Sequence, residues 1–200
     1  MVVKICGITR VEDAMAAVRH GATAIGFIFW PKSPRFVDPY RARKIAAVLP
    51  PFVTPVGVFV NQDVAYMNGV AALVGLGVLQ LHGDESPALL PQLRRPVVKS
   101  ITTFDGPSLD RWPAHVTLLV DAEDREKRGG TGKKADWAAA GDVARRRPVL
   151  LAGGVTPGNV RAAIAEVRPH GIDVSSGVES SPGIKDHERI AALFEALHQS

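Results

Sequence analysis

The 200-residue chain holds one cysteine, Cys6, set in Lys4-Ile5-Cys6-Gly7-Ile8-Thr9 at the end of a short apolar run. A thiol there is either a small buried hydrophobe or, once ionised, a base or nucleophile. At a reference pKa of about 8.5 only a few per cent is thiolate at neutral pH, so a working base needs electropositive surroundings or donors. Asp121 ends the apolar run Leu118-Leu119-Val120. It either caps the loop that follows or supplies the acid half of a pair with Cys6. Gly153-Gly154 closes one apolar run and Ser175-Ser176-Gly177 closes the next. Glycines let backbone N–H groups approach an anion, and hydroxyls and a helix N-terminus add donors. Either segment alone also reads as a tight turn; the two in succession point to phosphate. Arg35, in Pro31-Lys32-Ser33-Pro34-Arg35, offers a planar fork to a carboxylate or to a surface ion pair. His82, in Gln80-Leu81-His82-Gly83, orients a ligand or makes a structural hydrogen bond. No two His or Cys residues have metal-ligand spacing and no Gly-x-Ser-x-Gly elbow occurs, so neither metal nor cofactor is expected.

These residues are far apart in sequence, and the elements that must gather them are regular. β-rich apolar runs fall at Val2–Cys6, Ala24–Phe29, Pro55–Val60, Val78–Leu81, Val97–Ile101, Val116–Asp121, Val149–Ala152 and Gly171–Ser175. Most are uninterrupted, as parallel strands covered on both faces require. Helical spacing appears between them at Val11–His20, Tyr40–Leu49 and Pro157–Val167, and again at Asp186–His198. The crossover Thr102–Pro113, with two prolines, leaves room for little more than one helical turn. Eight strand–helix units at roughly 25 residues each predict one α/β domain over residues 1–200, a (β/α)8 TIM barrel. An open doubly wound sheet is the alternative, but no Gly-x-Gly-x-x-Gly follows the first strand. A barrel places its active site at the C-terminal ends of its strands. Those ends carry Cys6, the 31–35 loop, Asn61, His82, Ser100, Asp121, the glycine pair and the serine pair.

Composition narrows the class further. Hydrophobic residues make up 46% and charged residues 22%, as in an ordinary globular protein. No apolar run is long enough to span a bilayer and the N-terminus does not read as a secretory signal, so neither a membrane nor export is expected. One cysteine allows no internal disulfide, which points to a reducing, cytoplasmic setting. The net charge of +4 favours an anionic small-molecule ligand. Nucleic acid is not expected, because the basic residues are scattered and aromatics are only 6%. The run Arg145-Arg146-Arg147 reads as a solvated helix end. Monomer and homodimer both remain open.

The motifs together resemble the phosphoribosylanthranilate isomerase family of tryptophan biosynthesis. They are the Cys6 segment, Gly26-Phe27-Ile28-Phe29 leading to Ser33-Pro34-Arg35, Pro55-Val56-Gly57-Val58-Phe59-Val60-Asn61 and Gln80-Leu81-His82-Gly83. Asp121 before Gly129-Gly130-Thr131-Gly132-Lys133, then Leu151-Ala152-Gly153-Gly154 with Asn159-Val160, continue the set. Asp173-Val174-Ser175-Ser176-Gly177-Val178-Glu179 and Pro182-Gly183-Ile184-Lys185-Asp186 complete it. The resemblance implies an Amadori rearrangement with Asp121 as general acid and Cys6 as general base. It further implies that Arg35 holds the anthranilate carboxylate, Gly154 and Ser176 with their neighbours bind phosphate, and Asp173 supports the amine or ribose side. Departures are small: Val155 and Gly158 stand where a leucine and an acidic residue are commoner, and Lys134-Ala135 also differs. The polar stretch from Asp121 to Gly132 reads as a glycine-hinged lid or a plain surface loop. With its first strand beginning at Val2, a stand-alone, monofunctional enzyme is expected. Three rivals are a histidine-pathway isomerase, whose base at the first strand end is an aspartate, a lyase using Lys4 or Lys99 as a Schiff base, and a non-catalytic phosphate-binding barrel.

Overall fold

The computed structural model describes residues 1–102, 106–121 and 137–198. Eight parallel strands close into a barrel in sequence order: β1 (Val2–Ile5), β2 (Ala24–Ile28), β3 (Thr54–Phe59), β4 (Val78–Leu81), β5 (Val97–Ile101), β6 (Thr117–Val120), β7 (Val149–Leu151) and β8 (Gly171–Val174). Around them run α1 (Val11–His20), α2 (Pro39–Ala46), α3 (Val64–Val74), α4 (Gly106–Asp110), α5 (Trp137–Ala144), α6 (Val160–Val167) and α7 (His187–His198). The fourth crossover is a 3-10 segment, Pro87–Gln92. Prolines at 87 and 91 deny it the donors that a full α-helix uses. A short antiparallel hairpin, β9 (Glu179–Ser181) with β10 (Ile184–Lys185), follows β8.

Helix boundaries follow local chemistry. The Asp38 side chain accepts the N–H groups of Tyr40 and Arg41, with Pro39 in the first turn of α2. Asp63 caps α3 in the same way through Tyr66. The left-handed residue Gly21 ends α1 at φ 116°.

Strand alternation sends one set of side chains outward under the helices and the other into the lumen. The outward set (Ile5, Ile25, Phe27, Phe59, Leu79, Leu118, Val120 and Leu151 among them) is fully buried and joins the main core. The lumen holds a small apolar plug, Leu119, Leu150 and Ala152, with Val2 and Val98 against it. Lys4, Gln80, Ser100, Asp121 and Asp173 are buried polar residues on strands or at their ends. The barrel is closed between first and last strands, where Lys4 pairs in register with Asp173 and Ile5 with Val174. That register is what sets the site.

Candidate active site

A cleft of about 800 Å³, counting its open mouth, lies over the C-terminal ends of the strands. Its walls include Cys6, Arg35, His82, Asp121, Gly153, Gly154, Asp173, Ser175, Ser176 and Gly177, whereas Asn61 and Ser100, also expected at strand ends, are not part of them. Each is at or just beyond a strand end, so the barrel gathers residues as distant as 6 and 177.

The anion side is built from two turns packed on each other. Gly153 and Gly154 have φ of 78° and 70°, left-handed values that favour glycine. Asn159 fixes that turn, its amide donating to the Gly154 carbonyl at 2.8 Å while its oxygen accepts the Thr156 N–H at 2.8 Å. Gly177 is required by contact: a Cβ there would lie 2.0 Å from the Val155 carbonyl oxygen. Gly154, Ser176 and Gly177 bring their backbone N–H groups to this corner, and among the described residues the buried Ser175 Oγ has no partner. Donors of this kind in one corner suit a phosphate.

On the acid–base side, Cys6 is buried and its N–H donates to the Val174 carbonyl at 2.9 Å. Burial pushes the thiol up from its ordinary range; Lys4 pulls it down, Asp173 pushes up and Lys185 pulls down. Asp121 Oδ2 lies 3.3 Å from His82 Nε2. His82 Nδ1 faces the Gln80 amide nitrogen at 3.0 Å, and Ser100 Oγ is 3.5 Å from Nε2. An amide nitrogen only donates, so Nδ1 accepts and Nε2 carries the hydrogen, aimed at Asp121. His82 therefore makes both the structural bond and the cleft contact between which its sequence left a choice.

Arg35 is in the cleft, but its environment is not an open loop. Its Nε and Nη2 edge is held by Glu179 at 2.7–3.0 Å, and both residues are buried. Lys185 Nζ adds a second cation to Glu179 at 2.7 Å and donates to the Ser175 carbonyl at 3.1 Å. Burial works against the Glu179 charge, yet Arg35 and Lys185 hold its carboxyl below the usual range. Lys4 pairs with Asp173 at 2.8 Å, deep in the lumen. Lys99 donates to Glu85 and to the Gly83 carbonyl and is not part of the cleft wall. Neither lysine is presented as an amine nucleophile.

Glu179 and Lys185 stood in sequence motifs without a role, and Lys4 only as the Schiff-base lysine of the rival lyase reading. Their signal was a charge inside or beside an apolar strand, where burial demands a partner. Trp30, which follows β2 and lines the cleft, gave no signal beyond its type. The stretch 122–132 read as lid or loop, the Gly129–Lys133 motif and Lys134-Ala135 lie outside the described residues.

A closed parallel barrel with ionisable groups and an anion corner at its C-terminal mouth defines a (β/α)8-barrel enzyme. The family model described as "N-(5'phosphoribosyl)anthranilate (PRA) isomerase" matches residues 3–196. The chain is 47% identical over 198 residues to the N-(5'-phosphoribosyl)anthranilate isomerase of Pseudomonas fluorescens (strain Pf0-1), covering 97% of each. It superposes on the phosphoribosyl anthranilate isomerase of Thermotoga maritima with a TM-score of 0.91, at 41% identity and full coverage of both chains. A phosphoribosyl anthranilate isomerase in complex with reduced 1-(o-carboxyphenylamino)-1-deoxyribulose 5-phosphate gives 0.88 at 40% identity, again over both full chains. The chain belongs to the phosphoribosylanthranilate isomerase family.

Proposed function

We propose that this protein catalyses the Amadori rearrangement of N-(5-phosphoribosyl)anthranilate to 1-(2-carboxyphenylamino)-1-deoxyribulose 5-phosphate, a step of tryptophan biosynthesis. The observation that carries this reading is one cleft uniting Cys6 and Asp121 with the anion corner of Gly154, Ser176 and Gly177. The substrate phosphate occupies that corner. Arg35, steadied by Glu179, meets the anthranilate carboxylate, and Trp30 supplies an apolar wall near it.

As general acid, Asp121 gives a proton to the furanose ring oxygen as the C1–O bond breaks. The nitrogen lone pair forms the C1=N bond of a Schiff base, and His82 Nε2–H stabilises the carboxylate left behind. Cys6, as thiolate, then takes the C2 proton. The released electron pair forms C1=C2 and returns the nitrogen to a neutral amine. Loss of the C2 hydroxyl proton and protonation at C1 complete the ketone. C2 is oxidised and C1 reduced within one molecule, so electrons balance without a redox partner. Cys6 forms no covalent bond. Asp173 lies on the amine and ribose side and holds Lys4 beneath it.

A single working thiol is best kept in a reducing compartment, which supports a cytoplasmic location. No helix among the described residues is long and apolar enough to cross a membrane.

The test follows loss of phosphoribosylanthranilate fluorescence. Wild type should consume substrate well above the uncatalysed rate, and Cys6→Ala and Asp121→Asn should each lower kcat by roughly 10²–10⁴-fold. No turnover by wild type overturns the activity. Near wild-type rates in either variant at saturating substrate overturn the acid–base assignment.

A further inference from the structure

Beneath Cys6 lies a cation to which the reaction above assigns no task. Lys4 precedes Cys6 by two residues on β1, so both side chains point into the lumen. It is 1% exposed. The β1–β8 register places Asp173 beside it, with Nζ 2.8 Å from Oδ1. The same ammonium and the Cys6 sulfur border one small space in the lumen. On the neighbouring strand Gly26 leaves the space for this meeting. A Cβ built there would stand 2.8 Å from Cys6 Sγ and 3.0 Å from Lys4 Nζ. Gly26 does not adopt a left-handed φ, so its lack of a side chain serves room rather than backbone conformation.

A buried Lys–Asp pair is a poor way to gain stability, since two apolar side chains of like volume usually do as well. An ammonium has three donors, and Asp173 alone does not use them. A cation held against sulfur is what an ionised thiol requires.

We propose that Lys4 is a positioning residue for the Cys6 base: steered by Asp173 and given room by Gly26, its ammonium is the counter-charge against which Cys6 holds a thiolate. The proposal rests on the reading of Cys6 as base. The other charged groups acting on the sulfur are Asp173 from β8 and Lys185 from β10 with its partner Glu179, whose carboxylate is also held by Arg35 from the loop after β2. Asp121 and His82 line the same cleft. Lys4 and Asp173 act on the thiol in opposite directions, and that opposition is the test.

With only one cysteine in the chain, the thiolate ultraviolet absorbance, corrected with Cys6→Ala, reports Cys6 alone. Lys4→Met should raise the midpoint of the thiol titration by about one pH unit or more, roughly a tenfold loss of thiolate at a given pH below the midpoint. The thiol-linked rising limb of its kcat–pH profile should move up with it. Asp173→Asn should lower the midpoint, because the ammonium then faces sulfur without a competing anion. Gly26→Ala, which crowds both atoms, should raise it. An unchanged midpoint in Lys4→Met, or a shift of Asp173→Asn in the same direction as Lys4→Met, overturns the proposal. Should Lys4→Met fail to fold, the opposite signs expected of Asp173→Asn and Gly26→Ala decide it. Full activity in Cys6→Ala would instead remove the base reading, leaving the titration midpoints to judge the Lys4–Cys6 contact separately.

Discussion

At the scale of single residues, the cleft differs from a set of exposed functional groups in that nearly every charge in it is already held by another. Arg35 shows the consequence. One edge of its guanidinium is spent on Glu179, a buried carboxylate that also takes Lys185, so the arginine arrives at the cleft rigid. Its stem is packed just as closely against the turn after β1: a Cβ at Gly7 would lie 2.7 Å from Arg35 Cδ. Two variants separate its two jobs. Arg35→Ala removes both the carboxylate contact and one partner of Glu179, so KM should rise roughly 10- to 100-fold and the Tm should fall. Arg35→Lys restores a charge near Glu179 but not the fork, so the Tm should recover more than KM does. An unchanged KM in both variants would remove Arg35 from substrate binding; an unchanged Tm in Arg35→Ala would remove its structural share. Arg35 was legible in the sequence as a carboxylate grip because it is an arginine at a strand-end loop. Glu179 was not, because its partner lies 144 residues away and no local pattern encodes that distance.

At the scale of elements, the barrel was readable because parallel strands buried on both faces appear as unbroken apolar runs. Several strands end one residue earlier than those runs, at Ile5, Val120, Leu151 and Val174. The residues that step off the ladder there are Cys6, Asp121, Ala152 and Ser175, all in the cleft wall. The polar ends are thus where pairing stops and chemistry begins. Helices α1, α2, α6 and α7 carry an apolar stripe, whereas α3 and α5 are apolar or small nearly all round and give no clear period. The hairpin β9–β10 was missed because strands of three and two residues around a Pro-Gly turn look like loop. The arginine run shows a finer limit. Arg145 and Arg146 are the solvated helix end that the sequence indicates, pairing with Asp142 and Asp110 at the surface. Arg147 does something else. Its Nη1 donates to the carbonyls of Leu109 and Trp112 at 3.1 and 3.0 Å, and its Nη2 to those of Pro113 and Val116 at 2.7 and 2.6 Å. Helix α4 has five residues, too few to satisfy its own carbonyls, and Arg147 closes the turn that follows it. Arg147→Met keeps the stem and loses four bonds, which should cost about 2–4 kcal/mol and lower the Tm by roughly 5–15 °C. Arg146→Met should stay within about 0.5 kcal/mol of wild type. Equal Tm values for the two variants would show that the clasp contributes nothing.

At the scale of the whole molecule, a barrel closes only if its first and last units meet, and here a second seam reinforces the β1–β8 pairing. Asp13, fully buried near the start of α1, accepts Arg10 Nε and Nη2 at 2.9 and 2.7 Å within its own unit. From the far end of the chain it takes the Lys185 N–H at 3.1 Å and His187 Nε2 at 2.9 Å. This one carboxylate therefore ties α1 to β10 and the start of α7, and so steadies the hairpin that carries Glu179 and Lys185 to the cleft. Burial opposes its charge, but the bonds from Arg10, Lys185 and His187 outweigh that and hold its pKa below the ordinary 3.8. A carboxyl depressed on folding stabilises the native state fully above its unfolded pKa, and that share is lost as pH falls through the folded value. Wild type should accordingly lose Tm on acidification below about pH 4. In Asp13→Asn the charge-linked share is absent at every pH. Its Tm should be lower than wild type at neutral pH, and the gap should narrow as acid neutralises Asp13 in the wild type. Glu179, also held low by its two cations, keeps some acid dependence in the variant. Thermal unfolding of both proteins from neutral pH down to about pH 3 measures the gap. A gap that stays constant across that range would mean that Asp13 acts by shape alone, and that the seam between the ends of the chain does not depend on its charge.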